Sequence, residues 1–213
     1  MSLRLDWCSH EAAKYACEHW HYSRKMPAGK TNKIGVWENE KYVGALIYGL
    51  GSGNATRGEK YGLAKTHEIA ELQRVALNTH NTPTSRILAI SIRLISKTNP
   101  NLKMLISFAD QEAQNHHGGI YQATNWIYLG TVEGYGGFMI HGKAMHPRTV
   151  GAKGWKQSLP WLQQHIDPNA SRIKAYKHRY VYPLNEQVRQ RVQPLAMPYP
   201  KRASEVGHSP TQG

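Results

Sequence analysis

The 213-residue sequence has only two cysteines and no long hydrophobic run. Cys8 and Cys17 form no CxxC pair, so we interpret them as reduced core thiols rather than as a disulfide or a zinc site. No window reaches the roughly 18 apolar residues of a membrane helix, and the N-terminus MSLRLDWCSH lacks the basic-then-apolar plan of a signal peptide. These absences predict a cytoplasmic protein with no membrane partner.

Acidic residues are scarce as well. The chain has 14 Asp and Glu against 27 Lys and Arg, which gives a formal net charge of +13 and a pI near 9.8. Residues 150–213 hold 10 basic and 3 acidic residues, a net charge of +7. An excess this large favours a polyanionic partner, although charge alone also fits a merely basic protein.

Two enzyme motifs are missing. No [DNS]PP[YFW] run, the motif of adenine-N6 methyltransferases, occurs in the chain. The GLGSG run that follows a strand-like segment is not continued by an amphipathic helix, and its third glycine is misplaced for a dinucleotide-binding loop. Methyl transfer and dinucleotide binding are therefore both weak interpretations.

The hydrophobic pattern predicts an α/β (α+β) fold. Strand-like runs at 3–8, 33–39, 42–51, 68–77 and 102–110 are interleaved with helical patterns, and two closing strands follow residue 126. Ser9 is placed to cap the first helix, where Ala12, Tyr15, Ala16 and His19 fall on one face. This order predicts a mixed central sheet with flanking helices.

The composition of the sequence changes near Pro147, where a more basic segment begins. We predict a catalytic core over 1–147 and a basic C-terminal extension over 148–195 that packs on the core and contacts DNA. The extension contains GWKQSLPWLQQH, an amphipathic helix interrupted or kinked at Pro160, and the strand-like KAYKHRYVYPL. Residues 196–213 read as a disordered tail, and the oligomeric state stays open.

A strand, a polar loop and a helix start follow one another at 75–86. Unpaired amides at a helix N-terminus can hold a phosphate, and Thr84, Ser85 and Arg86 add hydroxyl donors and a cation there. An ordinary helix N-cap is the alternative interpretation.

Asp110 and Tyr121 flank the polar turn after the strand that ends at 110. A carboxylate at a strand C-terminus is well placed for a ligand, and a phenol can donate a proton to a leaving group. The alternatives are a helix N-cap for Asp110 and a half-buried core side chain for Tyr121.

The run HWHYSR gathers titratable groups after the first helix. His19 and His21, with Glu68 or Glu71 as a further group, form a speculative metal site, because zinc and iron sites need three or four ligands. A histidine that moves a proton or contacts DNA is the other interpretation.

The element order, with RVALNTHNTPTSRILA and YQATNWIYLG, resembles the GNAT acyltransferase fold. In that family the loop after the fourth strand grips the pyrophosphate of acyl coenzyme A, and a helix carrying a tyrosine supplies the general acid. The glycine-rich loop of that family is replaced here by NTHNTPTSR. The resemblance implies acetyl-CoA as cofactor, and it implies these contacts: Arg74, Ala76, Leu77, Thr84, Ser85, Arg86 and Tyr121.

Three separated blocks, HWHYSRKMP, HEIAELQRVAL and SFADQEAQNHHGGIYQATNW, resemble the Mom family, and the resemblance runs over roughly 1–185. It implies an enzyme that adds a carbamoylmethyl (acetamido-type) group to N6 of adenine in duplex DNA and so shields phage DNA from host restriction enzymes. Its implied catalytic residues are His21, Asp110 and Tyr121, together with Arg74. Some members are thought to use iron, so Fe²⁺ is a further implied cofactor.

Such a reaction needs the adenine to be flipped out of the duplex and held by aromatic rings. Candidates for that wall are Trp20, Tyr22, Trp126 and Tyr128, and Asp110 would accept a hydrogen of N6. A carbamoylmethyl product needs a bond from nitrogen to a methylene carbon, so another acyl donor or a glycine-derived donor stays open beside acetyl-CoA. The residues expected to contact double-stranded DNA are Tyr22, Arg24, Arg57, Lys60, Lys174, Lys177 and Arg179.

Two rival functions remain. The first is a GNAT N-acetyltransferase that acts on a protein or a small amine. The second is a non-catalytic DNA-binding protein, which would be indifferent to Tyr121→Phe.

Overall fold

The computed structural model describes residues 2–51, 58–63, 66–110 and 117–201. The strands are β1 (Leu3–Trp7), β2 (Thr31–Glu38), β3 (Lys41–Gly49), β4 (Ile69–Leu77), β5 (Met104–Asp110), β6 (Ile127–Ile140), β7 (Lys143–Met145) and β8 (Ser171–Pro183). The α-helices are α1 (His10–Trp20), α2 (Thr84–Thr98), α3 (Gly119–Gln122), α4 (Pro147–Ala152), α5 (Leu159–His165) and α6 (Glu186–Val192). Short 3₁₀ turns occur at Glu59–Tyr61, Thr66–Glu68 and Gln193–Leu195.

The contacts divide the chain into two units. The first comprises Met1–Ala109, His117–Gly130 and Arg179–Gly213, and the second comprises Asp110–His116 and Thr131–His178. The predicted core and extension are linear segments, whereas these units are not, because β6 and β8 each contribute residues to both.

The first unit is built on a mixed sheet in the order β1-β2-β3-β4-β5-β8-β6. The pairs β1/β2, β2/β3 and β3/β4 are antiparallel, and β4/β5 is parallel. Strand β8, which the sequence placed in an appended extension, therefore contributes the sheet position between β5 and β6. The predicted mixed α/β sheet with flanking helices is confirmed.

Helix α1 packs closely on this sheet because its inner face is small. Ser9 caps it by accepting from the amide of Ala12 at 3.1 Å, as predicted. The residues that it buries are Ala13, Ala16 and Cys17, one position away from the predicted stripe. Tyr15 instead lies outside and stacks on His19 with 4.0 Å between ring centroids.

Strands β4 and β5 separate soon after they begin. Their register has three pairs, from Ile69↔Met104 to Glu71↔Ile106. Beyond them the carbonyl of Leu72 accepts from the side-chain hydroxyl of Ser107 at 2.8 Å. The remaining part of β4, through Leu77, stays paired with β3 on its other edge. We call this opening the β4/β5 split.

The second unit has a core of its own. Phe138, Ile140, Val150, Leu162 and Ala170 are buried together there. Its strand order is β8-β6-β7, and β7 pairs antiparallel with the end of β6. Pro160 lies in the first turn of α5 and so starts this helix, where the sequence suggested a kink in a longer one.

The first residues of the predicted disordered tail lie on the first unit. The amide of Met197 donates to the carbonyl of Tyr128 at 2.9 Å, and the hydroxyl of Tyr199 donates to the carbonyl of Trp126 at 2.7 Å. Residues 202–213 lie outside the described residues. Across the described ranges, no helix has the length and apolarity to cross a bilayer.

Candidate active site

Tyr121 lies at the β4/β5 split. It is 6% exposed, on the short helix α3, and its hydroxyl is 2.8 Å from the hydroxyl of Ser107. Gly118 precedes the helix in a left-handed conformation, and a Cβ there would be 2.3 Å from the ring of Tyr180. The absence of a side chain at 118 thus lets Tyr180 stack on Tyr121, with ring centroids 4.9 Å apart.

The proton positions in this pair can be assigned. Ser107 has one hydroxyl proton and donates it to the carbonyl of Leu72. Tyr121 must therefore donate to the oxygen of Ser107. Burial raises the pKa of Tyr121 to about 12, with smaller contributions from nearby Tyr22 and Glu71, so the phenol keeps its proton at neutral pH. It suits a general acid and not a general base.

His21 follows α1 and is a neutral side chain. Burial, and then the charge of Arg74, lowers its pKa to about 4. The amide of Ser23 donates to Nδ1 at 3.1 Å, so the proton of the neutral ring is on Nε2. The imidazole can therefore donate a hydrogen bond from Nε2, and Nδ1 is already occupied as an acceptor.

Arg74 connects β4 to the segment that carries His21. Its Nε donates to the carbonyl of Lys25 at 3.3 Å and its Nη1 to the carbonyl of Gln73 at 2.6 Å. The neighbouring ring of Tyr22 is 4.3 Å from that of His21 between centroids, and Tyr22 is 46% exposed. The 21–25 segment, β4 and α3 are thus linked at the β4/β5 split, by the bond from Arg74 to the carbonyl of Lys25 and by the electrostatic effect of Tyr22 on Tyr121.

The speculative metal site is not supported. In the described ranges, no group of three or more His, Cys, Asp or Glu side chains is arranged to hold a metal ion. Nδ1 of His21 accepts the amide of Ser23, so the ring proton is on Nε2 and neither ring nitrogen has a lone pair available for a metal ion. His19, His21 and Glu71 therefore do not fit an Fe²⁺ site, and no step of the reaction is assigned to iron.

The loop between β4 and α2 is held by an acid that the sequence did not reveal. The carboxylate of Glu38, at the end of β2, accepts from the amides of Asn81 at 2.8 Å and Thr82 at 2.6 Å. Helix α2 begins at Thr84 after Pro83, which makes no side-chain cap. Arg86 is exposed, and Thr84 and Ser85 lie in the first turn, as predicted.

Ala76 and Leu77, predicted to contact the cofactor, end β4. Ala76 is fully buried against Ala13 and Ala45, and Leu77 packs against the main core. Their side chains therefore serve packing, and only their backbone could contact a ligand.

Asp110 belongs to the second unit and ends β5. Its Oδ2 is 3.9 Å from Nζ of Lys177, and Lys174 lies 3.3 Å from the carboxylate of Glu133. Lys174 and Lys177, two of the three lysines predicted to contact DNA, are thus paired with carboxylates on the protein. Phosphate binding would compete with these exposed pairs, which are individually weak.

Other side chains predicted to contact DNA contact the protein itself in the structure. Arg24 donates to the carbonyls of Glu18 and His19, and so caps the end of α1. Arg179 donates to the carbonyl of Leu129 at 3.0 Å. Lys60 lies over the ring of Tyr61, 4.9 Å from its centroid. Arg57 lies outside the described residues.

The structure corrects the prediction that four aromatic rings form a wall to hold the flipped adenine. Trp126 is fully buried and Tyr128 is 6% exposed, because both belong to the core, so neither offers a face to a base. Trp20 is half-buried against Tyr15 and Tyr42. Of the four proposed rings, Tyr22 is the exposed one.

A family model described as the Mom protein family matches residues 2–201. Among solved structures, the chain is similar to an aminoglycoside acetyltransferase in complex with coenzyme A, with a TM-score of 0.50, 10% identity, and 90% of this chain and 99% of that chain covered. It is also similar to an N-acetyltransferase from Staphylococcus aureus Mu50, with a TM-score of 0.49, 11% identity, and 87% and 100% covered. The first likeness shows the GNAT acetyltransferase fold. The search of curated proteins found no match.

Proposed function

Because the chain belongs to the Mom protein family, we propose that it is a DNA-modification transferase that adds a carbamoylmethyl group to N6 of adenine in duplex DNA. The modification would protect phage DNA from host restriction enzymes in the host cytoplasm. The partner is double-stranded DNA, in keeping with the net charge of +13.

The observation that carries the proposal is the meeting of three separate stretches of sequence at the β4/β5 split. Tyr121 supplies a buried phenol, His21 a neutral imidazole and Tyr22 an exposed ring. Arg74 bonds to the segment that carries His21 and Tyr22. Burial raises the pKa of Tyr48 as well, so it is the grouping with His21 and Tyr22, and not a raised pKa, that marks Tyr121.

In the proposed reaction the flipped adenine stacks on Tyr22. A bond forms from N6 to the methylene carbon of the donor, and the bond from that carbon to the leaving group breaks. N6 gives up one proton, which we assign to the carboxylate of Asp110. Tyr121, which keeps its proton at neutral pH, releases its hydrogen bond to Ser107 and gives that proton to the leaving group.

The GNAT fold itself favours a second candidate, an N-acetyltransferase that acts on a protein or a small amine. Acetyl transfer would leave an amide on its acceptor, while carbamoylmethyl transfer leaves a secondary amine on adenine. The products differ in mass, so one measurement separates the two.

The test is mass spectrometry of nucleosides from plasmid DNA of cells that express the protein. We expect deoxyadenosine enlarged by one carbamoylmethyl unit, lost in Asp110→Asn and in Tyr121→Phe. Tyr48→Phe is the matched control, because Tyr48 is also a buried tyrosine with its hydroxyl bonded to a serine, Ser91, at 2.7 Å. Unmodified adenine from folded protein, with acetylated amines instead, would overturn the proposal in favour of the second candidate.

A further inference from the structure

We infer that Glu38 occupies, as a built-in anion, the position on the β4–α2 loop where a GNAT acetyltransferase would hold cofactor pyrophosphate, and that the donor is held without a diphosphate contact at this loop. The inference rests on the proposed transferase function, whose donor it narrows. It predicts a donor different from the acyl-CoA that the fold of this chain suggests.

Glu38 is committed to the loop by geometry. Its side chain is 5% exposed, and its two oxygens each accept from one of two successive amides, those of Asn81 and Thr82. These bonds also lower the pKa of the carboxyl, with a smaller contribution from His80. The group is therefore ionised at neutral pH and carries the negative charge that a phosphate would otherwise bring.

The loop has few donors left for a second anion. Pro83 has no N–H, and Nδ1 of His80 is 2.7 Å from the carbonyl of Thr82, to which it donates. The amide of Asn78 donates to the carbonyl of Val43. The amides of Thr79, His80, Thr84 and Ser85 remain, but a diphosphate bound to any of them would lie within three residues of the amides that hold the ionised carboxylate of Glu38, and like charges repel.

The edge of β4 beyond the split offers a different kind of contact. After Leu72 this edge is no longer paired with β5, and an extended chain with amide groups can add to an open strand edge. We therefore expect a donor that carries a carbamoylmethyl unit on an amide-bearing arm and no nucleoside diphosphate bound at the loop.

Thermal unfolding with ligands tests the first half of the inference. A ligand present at about 100 times its Kd raises Tm by about 5 to 10 °C in a chain of this size. We expect millimolar coenzyme A, adenosine 3′,5′-bisphosphate and inorganic pyrophosphate to leave the Tm of the wild-type protein unchanged. A shift of several degrees with coenzyme A that is lost in Ser85→Pro or Arg86→Ala would overturn the inference.

Chemical rescue tests the second half. Glu38→Ala removes the carboxylate, so we expect a lower Tm that added acetate or phosphate partly restores. Glu133→Ala is the matched control, because Glu133 is an exposed acid paired with Lys174 and no anion should restore its loss. If Glu38→Ala does not fold, Glu38→Gln keeps the shape and should lower Tm. A Glu38→Gln protein as stable as wild type, or a Glu38→Ala protein insensitive to anions, would contradict the assignment.

The two proposals fail separately. Modified adenine in cells together with coenzyme A binding at the loop would refute the inference and leave the proposed function standing. Unmodified DNA together with no binding of coenzyme A would refute the proposed function while Glu38 keeps its place in the loop.

Discussion

Replacing Ser107 by Ala tests the assignment of protons at the β4/β5 split. The hydroxyl donates to the carbonyl of Leu72 and accepts from Tyr121, both at 2.8 Å and in a buried environment. Each buried hydrogen bond contributes about 1 kcal/mol net. Ser107→Ala removes both and should cost about 2 kcal/mol, which lowers Tm by about 4 to 8 °C in a chain of this size. Tyr121→Phe removes one bond and should cost about half as much.

The matched control is Ser91→Ala. Ser91 is equally buried, donates to the carbonyl of Leu88 at 2.8 Å and bonds to the hydroxyl of Tyr48 at 2.7 Å. The two serine variants should lose similar Tm, yet only Ser107→Ala should reduce adenine modification, because only it changes the partner of Tyr121. Thermal unfolding and nucleoside analysis of both variants measure this. If Ser107→Ala left adenine modification at the wild-type level, the role given to the hydrogen bond between Ser107 and Tyr121 would be wrong.

Three further changes have definite expected outcomes. The pKa of His21 falls from its usual 6.5 to about 4 in the folded state, so its contribution to stability is full above pH 6.5 and shrinks as the pH drops toward 4. The Tm of His21→Asn should therefore change less than that of the wild-type protein between pH 6.5 and pH 4. Gly44→Ala would place a Cβ 2.1 Å from a backbone oxygen at a φ of +145° and should prevent folding, whereas Gly29→Ala, with a φ of +87° in open space, should fold with a loss of about 1 kcal/mol. Lys177→Ala should reduce by about 0.9 the slope with which the log of the duplex-DNA binding constant falls against log salt, because Lys177 would contact a phosphate. Arg179→Ala should instead lower Tm, because Arg179 bonds to the protein. A salt slope changed only by Arg179→Ala would mean that Arg179, and not Lys177, contacts DNA.

Local patterns predicted most of the elements. The apolar runs of β2 and β3, the periodicity of α2 and the serine cap of α1 are properties of neighbouring residues, and they are present in the structure. The predicted inner face of α1 was wrong by one position, because the helical face that includes Tyr15 and the one that includes Cys17 are similarly apolar in sequence. Only contact with the sheet selects the smaller one, which allows closer packing.

Long-range partners could not be predicted. Glu38 reads as one acid in a hairpin, and its bonds reach amides 43 and 44 residues away. Arg24 and Arg179 read as DNA contacts because their charge is visible in the sequence, while the carbonyls that they bind are not. Strand β8 follows the basic segment in the chain, and nothing in its own pattern indicates that it lies between β5 and β6.

The contrast between the β4/β5 split and the β4–α2 loop bears on how one scaffold can serve different donors. A transferase must place a proton donor near the reacting atoms whatever the donor is, and the pair formed by Tyr121 and Ser107 meets that need at the split. The grip on the donor depends on its chemistry, and a diphosphate needs free amides and no competing negative charge. In this chain the amides of Asn81 and Thr82 bind Glu38 instead. A scaffold that keeps the phenol and fills the anion position would suit a donor other than a nucleotide thioester, and a donor that forms the proposed bond from N6 to a methylene carbon is of that kind.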